Sequence, residues 1–329
     1  MKKAKIIGLG SYLPKKVLTN ADFEKMIDTS DEWITSRTGI KERRIAADDE
    51  FTSDMGYEAA KKAIEDAKLK AEDIDIIFVA TLTPDYIFPS TACLIQEKLE
   101  AKNAAALDIQ AACSGYVYAL SLAKALVENN TYKNILIIAS EKLSSIINYK
   151  DRSTSVLFGD AAAAAVVSQD GSGLEIQSIY LGASGSEADL LILPAGGCKN
   201  PASEKTLKEG LHYIKMGGKE VFKHAVRRMQ QAIEKCLKET NLSEKDISWL
   251  IPHQANERII DAIAKRFEHL DNEKVYKEVV RKFGNTSASS VGLALDFLKK
   301  ENKLKSKEKI LLTVFGAGFT WGAAILENN

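Results

Sequence analysis

One stretch of this chain occurs twice. "LKAEDIDIIFVA" (69–80) and "LSEKDISWLIPH" (242–253) share the order of a leucine, an acidic turn, Asp-Ile and an apolar run, 173 residues apart. The same offset lays "ACSGYVYALSL" over "NTSASSVGLAL" without a gap and carries Cys113 onto Thr286. Both segments start small and polar and continue apolar with helical spacing. A repeated supersecondary unit restricts the fold to halves that bury equivalent faces. If the halves pack about a pseudo-dyad, their central helices start near one axis, and Cys113 and Asn285 face one cleft. The halves are read as 1–172 and 173–329, with "SQDGSG" (168–173) as punctuation rather than a flexible linker.

The rest of the chain agrees with a layered α/β fold. The runs 74–81, 104–110, 134–140, 161–168 and 309–316 are short and apolar, as strands buried on both faces are. Helical patterns lie between them. The pattern 53–69 opens on Ser53 as a cap, 90–100 opens on Ser90, and 220–240 is long and amphipathic. At 329 residues two packed halves are expected.

Lys plus Arg equals Asp plus Glu at 45 each, so overall charge supplies no attraction to nucleic acid or an anionic membrane. The four cysteines, Cys93, Cys113, Cys198 and Cys236, contain no C-x-x-C, which speaks against a disulfide scaffold or a zinc site. "MKKAKIIGLGSYLPKK" has too brief an apolar run for a signal peptide or a membrane span. A soluble, cytoplasmic protein is expected.

A free cysteine is often a small core residue. Cys113, however, stands where a buried strand gives way to a helix, and free amides and the dipole at a helix N-terminus stabilise a thiolate. Ala111, Ala112, Ser114 and Gly115 leave room for a substrate to reach sulfur. Thioester exchange suits such a nucleophile. His253 ends a predicted strand and Asn285 heads a predicted helix. Each alone reads as structural, but together they offer two neutral donors for an enolate oxygen, should carbon–carbon bond formation follow acyl transfer. Glycines in "FGAGFTWGAAIL" (315–326) let backbone approach a ligand closely and form an oxyanion hole with the Cys113 amide. "FGDAAAAAVV" (158–167) lacks phosphate-loop spacing and is assigned to close layer packing.

With these residues in view the chain closely resembles the β-ketoacyl-acyl carrier protein synthase III family of the thiolase superfamily. "DEWITSRTGIKERR", "FPSTAC", "AACSGYVYAL", "DRSTSVLFGDAAAA", "HQANERI" and "FGNTSASS" occur in family order over essentially the whole chain. The resemblance implies a five-layer αβαβα fold, a homodimer and a catalytic Cys113, His253 and Asn285. It implies that the enzyme initiates fatty acid synthesis: an acetyl group passes from coenzyme A to Cys113, then condenses with decarboxylating malonyl-acyl carrier protein, with no metal or redox cofactor. The amides of Cys113 and Ala317 are implied to hold the oxyanion. Trp33 and Arg152 are implied to sandwich the adenine, with Arg37 near the phosphates. Met216, Gly218, Phe222 and Asn256 match the pantetheine tunnel. Phe88 matches a residue that crosses the dimer interface to bound the acyl pocket. Lys223, Arg258, Lys265 and Arg266 match a patch that receives the acidic carrier protein.

Two departures stand out. Ala317 interrupts a run that is three glycines in many members, and 198–213 is longer and more charged than expected, which leaves the local tunnel edge open. Neighbouring chemistries lack their residues here. Val314 and Phe315 stand where a thiolase has its second cysteine, and Leu82 where a hydroxymethylglutaryl-coenzyme A synthase has its glutamate. Elongating synthases use two histidines, and plant-type polyketide synthases lack the "DEWITSRTG" and "HQAN" contexts. The alternatives are an acyltransferase of secondary metabolism using Cys113 and a non-catalytic binding paralogue.

Overall fold

Each of the five apolar runs forms a strand. The computed structural model describes residues 3–329; Met1 and Lys2, which open the amino-terminal stretch discussed above, lie outside the described residues. Among these, a nine-stranded sheet is built from β1 Lys5–Tyr12, β2 Ile76–Ala80, β3 Ala105–Ile109, β4 Asn134–Glu141, β5 Ala161–Ser168, β6 Leu174–Ala183, β7 Trp249–Pro252, β8 Lys309–Gly316 and β9 Thr320–Asn328. The order is β3-β2-β4-β5-β1-β6-β9-β8-β7. Outward from the centre the two sides read alike, β1-β5-β4-β2 and β6-β9-β8-β7. Among the described residues two register pairs join them, Lys5 with Glu175 and Ile6 with Leu174.

The helices that matter for the site are α1 Asp31–Thr38, α2 Thr52–Asp66, α3 Thr91–Lys98, α4 Gly115–Glu128, α5 Gly218–Thr240, α6 Glu257–Ala264 and α7 Ser289–Lys300. Strand side chains alternate between faces. Phe78, Ile137, Ile251 and Leu312 point to the middle and bury Tyr116 and Leu120 of α4 with Val291 and Leu295 of α7. Ile77, Val79 and Ile138 point the other way, onto Ala59 and Ala63 of α2 and Ile95 of α3. Leu250, Leu311 and Ile325 meet Met229 and Ile233 of α5 and Ile260 of α6. Helices therefore lie outside each part of the sheet and between the two parts, giving the five layers αβαβα. In "GLGSYLP" the glycines serve this packing: a Cβ on Gly10 would lie 2.3 Å from the Ala59 carbonyl oxygen of α2.

Shifted by 173, the short turn Ala71–Asp73 falls on Glu244–Asp246, and the residues after them, Ile74 and Ile247, share φ −85° and ψ 127°. Strand β3 has no full counterpart, only an isolated bridge between Leu250 and Val275.

Two expectations need correction. Run 104–110 is not buried on both faces: β3 is an edge strand, with Leu107 exposed. Ser53 does not cap α2, which starts a residue earlier; the Asp54 carboxylate accepts the Phe51 N–H at 2.8 Å, and the Ser53 N–H goes to Asp85. Ser90 does cap α3, accepting from the Cys93 N–H. Among the described residues no helix is long and apolar enough to cross a membrane.

Candidate active site

The chain leaves β3 and turns sharply through Ala112, whose φ is +45°, into the single 3-10 turn Ala112–Ser114 that leads into α4. Cys113 lies in that turn, 8 % exposed. Gly115 lets the two central helices meet head to head, since a Cβ there would lie 2.8 Å from Ala80 and 3.4 Å from Ala288. Burial pushes the Cys113 thiol up to about 12, outweighing the opposing influence of the nearby Ser287 side chain and of the turn's own amide. At rest Cys113 is a neutral thiol.

His253 follows β7 and is pinned by its N–H to the Thr313 carbonyl at 2.8 Å. Burial drives its pKa down to about 4, so the ring is neutral. Its Nδ1 lies 2.8 Å from Ser290 Oγ. Asn285 does not head the helix as expected. Helix α7 starts at Ser289, and Asn285 belongs to the preceding turn, its N–H donated to Leu157 O and its carbonyl accepting from the Gly159 N–H. The Ser287 N–H donates to Asn285 Oδ1 at 2.9 Å, which commits the oxygen and leaves Nδ2 as donor.

Cys113, His253 and Asn285 line one cavity of about 760 Å³. Its wall includes Trp33, Arg37, Met216, Gly218, Phe222 and Asn256, all expected from sequence, and the cations Lys219, Lys223 and Arg258. Together with Arg37 these make four positive charges on a wall that carries no carboxylate among the described residues. Leu191 and Met216, paired in a short two-stranded sheet, form one edge; residues 198–213 connect its strands and add no side chain to the wall.

Other expected residues sit differently. Arg152 lies on the Trp33 ring, 4.6 Å from its centroid, with Arg37 at 4.8 Å, and Arg152 donates to Asp28 O. Trp33 and Arg152 thus touch each other instead of leaving a slot. Asn256 spends its amide on structure: Oδ1 caps α6 and Nδ2 donates to Arg37 O at 3.0 Å. Arg266 is tied to Glu234 and Glu244, both at 2.7 Å, and neither it nor Lys265 lines the cavity. Phe88 is 84 % exposed and away from its own chain's cavity. Gly316, in contrast, comes directly against Cys113. The Ala317 N–H has no hydrogen-bond partner among the described residues.

Sequence reading missed four residues. Lys219 stands three and four positions before Phe222 and Lys223, so helical spacing alone placed it on their face. Glu141 extends the apolar run "NILIIAS" by one residue, and a carboxylate continuing a buried strand is itself a signal. It is fully buried, accepts from Leu82 and Thr83 N–H groups, the Thr81 and Thr83 hydroxyls and Ser287, and burial still lifts its pKa to about 7. Ser287 and Ser290 gave no signal, since small hydroxyls near a helix start are common caps.

Two parts of one sheet over a shared helical layer, with a cysteine at the head of a central helix, define the class of thiolase-fold condensing acyltransferases. Comparison with known proteins narrows this. Residues 107–185 match the family described as 3-oxoacyl-[acyl-carrier-protein] synthase III, and residues 237–328 match its C-terminal part. A relative from Chlamydia caviae, "Beta-ketoacyl-[acyl-carrier-protein] synthase III", is 58% identical over 328 residues, covering 99% of this chain and 97% of its own. The crystal structure of the synthase III from Aquifex aeolicus VF5 is similar with TM-score 0.89 and 47% identity, covering 98% of this chain and 99% of that one. The priming β-ketosynthase of the R1128 polyketide pathway is similar with TM-score 0.90 and 33% identity, covering 100% and 98%. The chain belongs to the 3-oxoacyl-[acyl-carrier-protein] synthase III family. It is an acyltransferase, the initiating condensing enzyme of fatty acid synthesis.

Proposed function

We propose that Cys113 is the acyl-accepting nucleophile and that His253 and Asn285 hold the enolate. The observation that carries this reading is their convergence on one cavity whose wall, among the described residues, carries no carboxylate. In the first half-reaction Cys113 attacks an acetyl thioester of coenzyme A, and its proton leaves with the released thiol. The amides of Cys113 and Ala317 hold the tetrahedral oxyanion, a role suited to an N–H without a protein partner. In the second, malonyl-acyl carrier protein loses carbon dioxide. Two neutral donors, the His253 ring and Asn285 Nδ2, stabilise the enolate, which attacks the acyl-cysteine to give a β-ketoacyl-carrier product. Neither step draws on a metal or redox group.

The cavity size suits a pantetheine arm. Met216, Gly218 and Phe222 line its path, and Arg37, Lys219, Lys223 and Arg258 face the phosphates or an acidic carrier protein near the mouth. Lys265 is a peripheral member of that patch, and Arg266 is withdrawn from it. Trp33 receives the adenine once Arg152 lifts off its ring.

A homodimer in the cytoplasm completes the reading. The open edge of β3 is the docking strand. Tyr86, Ile87 and Phe88 are 60, 84 and 84 % exposed, and their loop is tied to β3 by Asp108, which accepts the Thr91 and Ala92 N–H groups. Phe88 then closes the acyl pocket of the second copy. The halves divide at 172/173, just before β6. The test is a product screen by mass spectrometry with malonyl-carrier protein and acyl-coenzyme A of graded length, with carbon dioxide release measured in parallel. Acetoacetyl-carrier product with stoichiometric carbon dioxide supports the reading. Acyl transfer without carbon dioxide points instead to an acyltransferase with another acceptor.

A further inference from the structure

Ser290 Oγ lies 2.8 Å from His253 Nδ1 and accepts the Gln254 N–H at 3.3 Å. Ser290 is 0 % and His253 5 % exposed. A serine hydroxyl has one proton to give. Among the described residues Nδ1 is the one acceptor within hydrogen-bond reach of Ser290 Oγ. If Nδ1 carried the ring proton, the serine proton would be left unpaired in the core, at the full cost of its desolvation. The ring is neutral, because burial holds its pKa at about 4, so it has a single N–H whose position decides what it can do.

We propose that Ser290 is a positioning residue that fixes His253 as the Nε2–H tautomer and so points its one donor into the cavity. This rests on the reading of His253 as an enolate donor, for which only the Nε2–H form serves.

The duplicated architecture supplies a second, independent argument. Shifted back by 173 residues, His253 and Ser290 fall on Ala80 and Val117, both 0 % exposed. The same strand end and helix turn are thus filled by an apolar pair in the first half and by a hydrogen-bonded pair in the second. Packing at this place in the fold does not require a hydroxyl. The serine answers a need that the first half does not have, and the imidazole beside it is that need.

Nitrogen-15 histidine spectra decide the matter. The chain has four histidines, and the His253 signals are those missing from His253→Ala. The unmodified enzyme should show a protonated Nε2 and a bare Nδ1. Ser290→Ala should shift the population toward Nδ1–H, and Ser290→Thr, which keeps a hydroxyl, should restore it. Decarboxylation of malonyl-carrier protein should fall about 10- to 100-fold in Ser290→Ala, short of the roughly 10²–10³ for deleting a donor outright, and recover in Ser290→Thr. A protonated Nδ1 in the unmodified enzyme overturns the proposal, whether or not the variants fold. An unchanged tautomer in folded Ser290→Ala overturns it too. If the spectra behave as expected while His253→Ala retains full decarboxylation, the tautomer assignment stands and the enolate-donor reading falls.

Discussion

Gly316 lies against the main-chain amide of Cys113: a methyl group on it would sit 2.7 Å from that nitrogen and 3.0 Å from the Ser114 nitrogen. Both neighbours are backbone at the head of a buried helix and have little room to give. Gly316→Ala should displace the Cys113 turn, at a stability cost of about 1–3 kcal/mol, and slow acyl-enzyme formation. Thermal unfolding and intact-protein mass spectrometry read the two effects. A variant as stable and as readily acylated as the parent would mean the tail moves freely.

Cys113→Ser should abolish both the acyl adduct and condensation. The thiol is already pushed up to about 12 by burial, and a hydroxyl in the same place is far harder to ionise. An undiminished acyl adduct on the mutant protein would remove Cys113 from the mechanism.

Asn285→Ala should separate the half-reactions. Losing an enolate donor costs about 10²–10³ in rate, whereas acetyl transfer to Cys113 does not use Nδ2. The same loss in both steps would make Asn285 structural, acting through the Oδ1 that accepts the Ser287 N–H.

Charge reversal should distinguish the cations at the mouth. Arg258 lines the cavity and has no carboxylate within 4 Å among the described residues, while Arg266 is held between two glutamates. Arg258→Glu should raise KM for malonyl-carrier protein, more so at low salt, because charges at the rim are screened over about 8 Å at physiological ionic strength. Malonyl-coenzyme A serves as the carrier-free control. Equal harm to the control assigns Arg258 to the tunnel and not to docking.

His253 in the cavity wall and Glu141 behind it oppose each other in pH dependence. His253 titrates near 4 folded against 6.5 ordinarily, so between these values the unfolded chain binds the extra proton and stability rises with pH. Glu141 titrates near 7 against 4.5, so between those values the folded chain binds the extra proton and stability falls with pH. Relative to the parent, Glu141→Gln should therefore gain stability more steeply between pH 4.5 and 6.5, and His253→Ala should lose it. Urea unfolding at two pH values measures both slopes. Slopes that move in the same direction would contradict the assignment.

The layered fold was legible because its signals are local and periodic. Runs such as 134–140 read as strands from their own composition, and the 173-residue repeat carried the long-range information that single elements lack. The edge position of β3 was not legible, since an apolar run does not say whether a neighbour lies on each side of it. Convergence of Cys113, His253 and Asn285 followed from the repeat together with family resemblance. What escaped was the support behind them. Glu141, Ser287 and Ser290 act through hydrogen bonds such as Ser290 to His253 and Ser287 to Glu141, 37 and 146 positions apart, and no spacing rule reaches that far. Arg152 was expected as one wall of a slot, but an unoccupied aromatic face attracts the nearest guanidinium.

That stacked pair bears on turnover. On the proposed reading, a nucleotide arriving at Trp33 would find the ring already covered by a cation, so that its binding is an exchange in which part of the stacking gained goes to displacing Arg152. The carrier protein's phosphopantetheine arm has no adenine and incurs no such cost. The handle that distinguishes the first substrate from the second is thereby weakened by a competitor within the protein. On the proposed reading, free coenzyme A would then be held less firmly than its contact area implies, and a returning Arg152 would help it to leave before the carrier's arm enters.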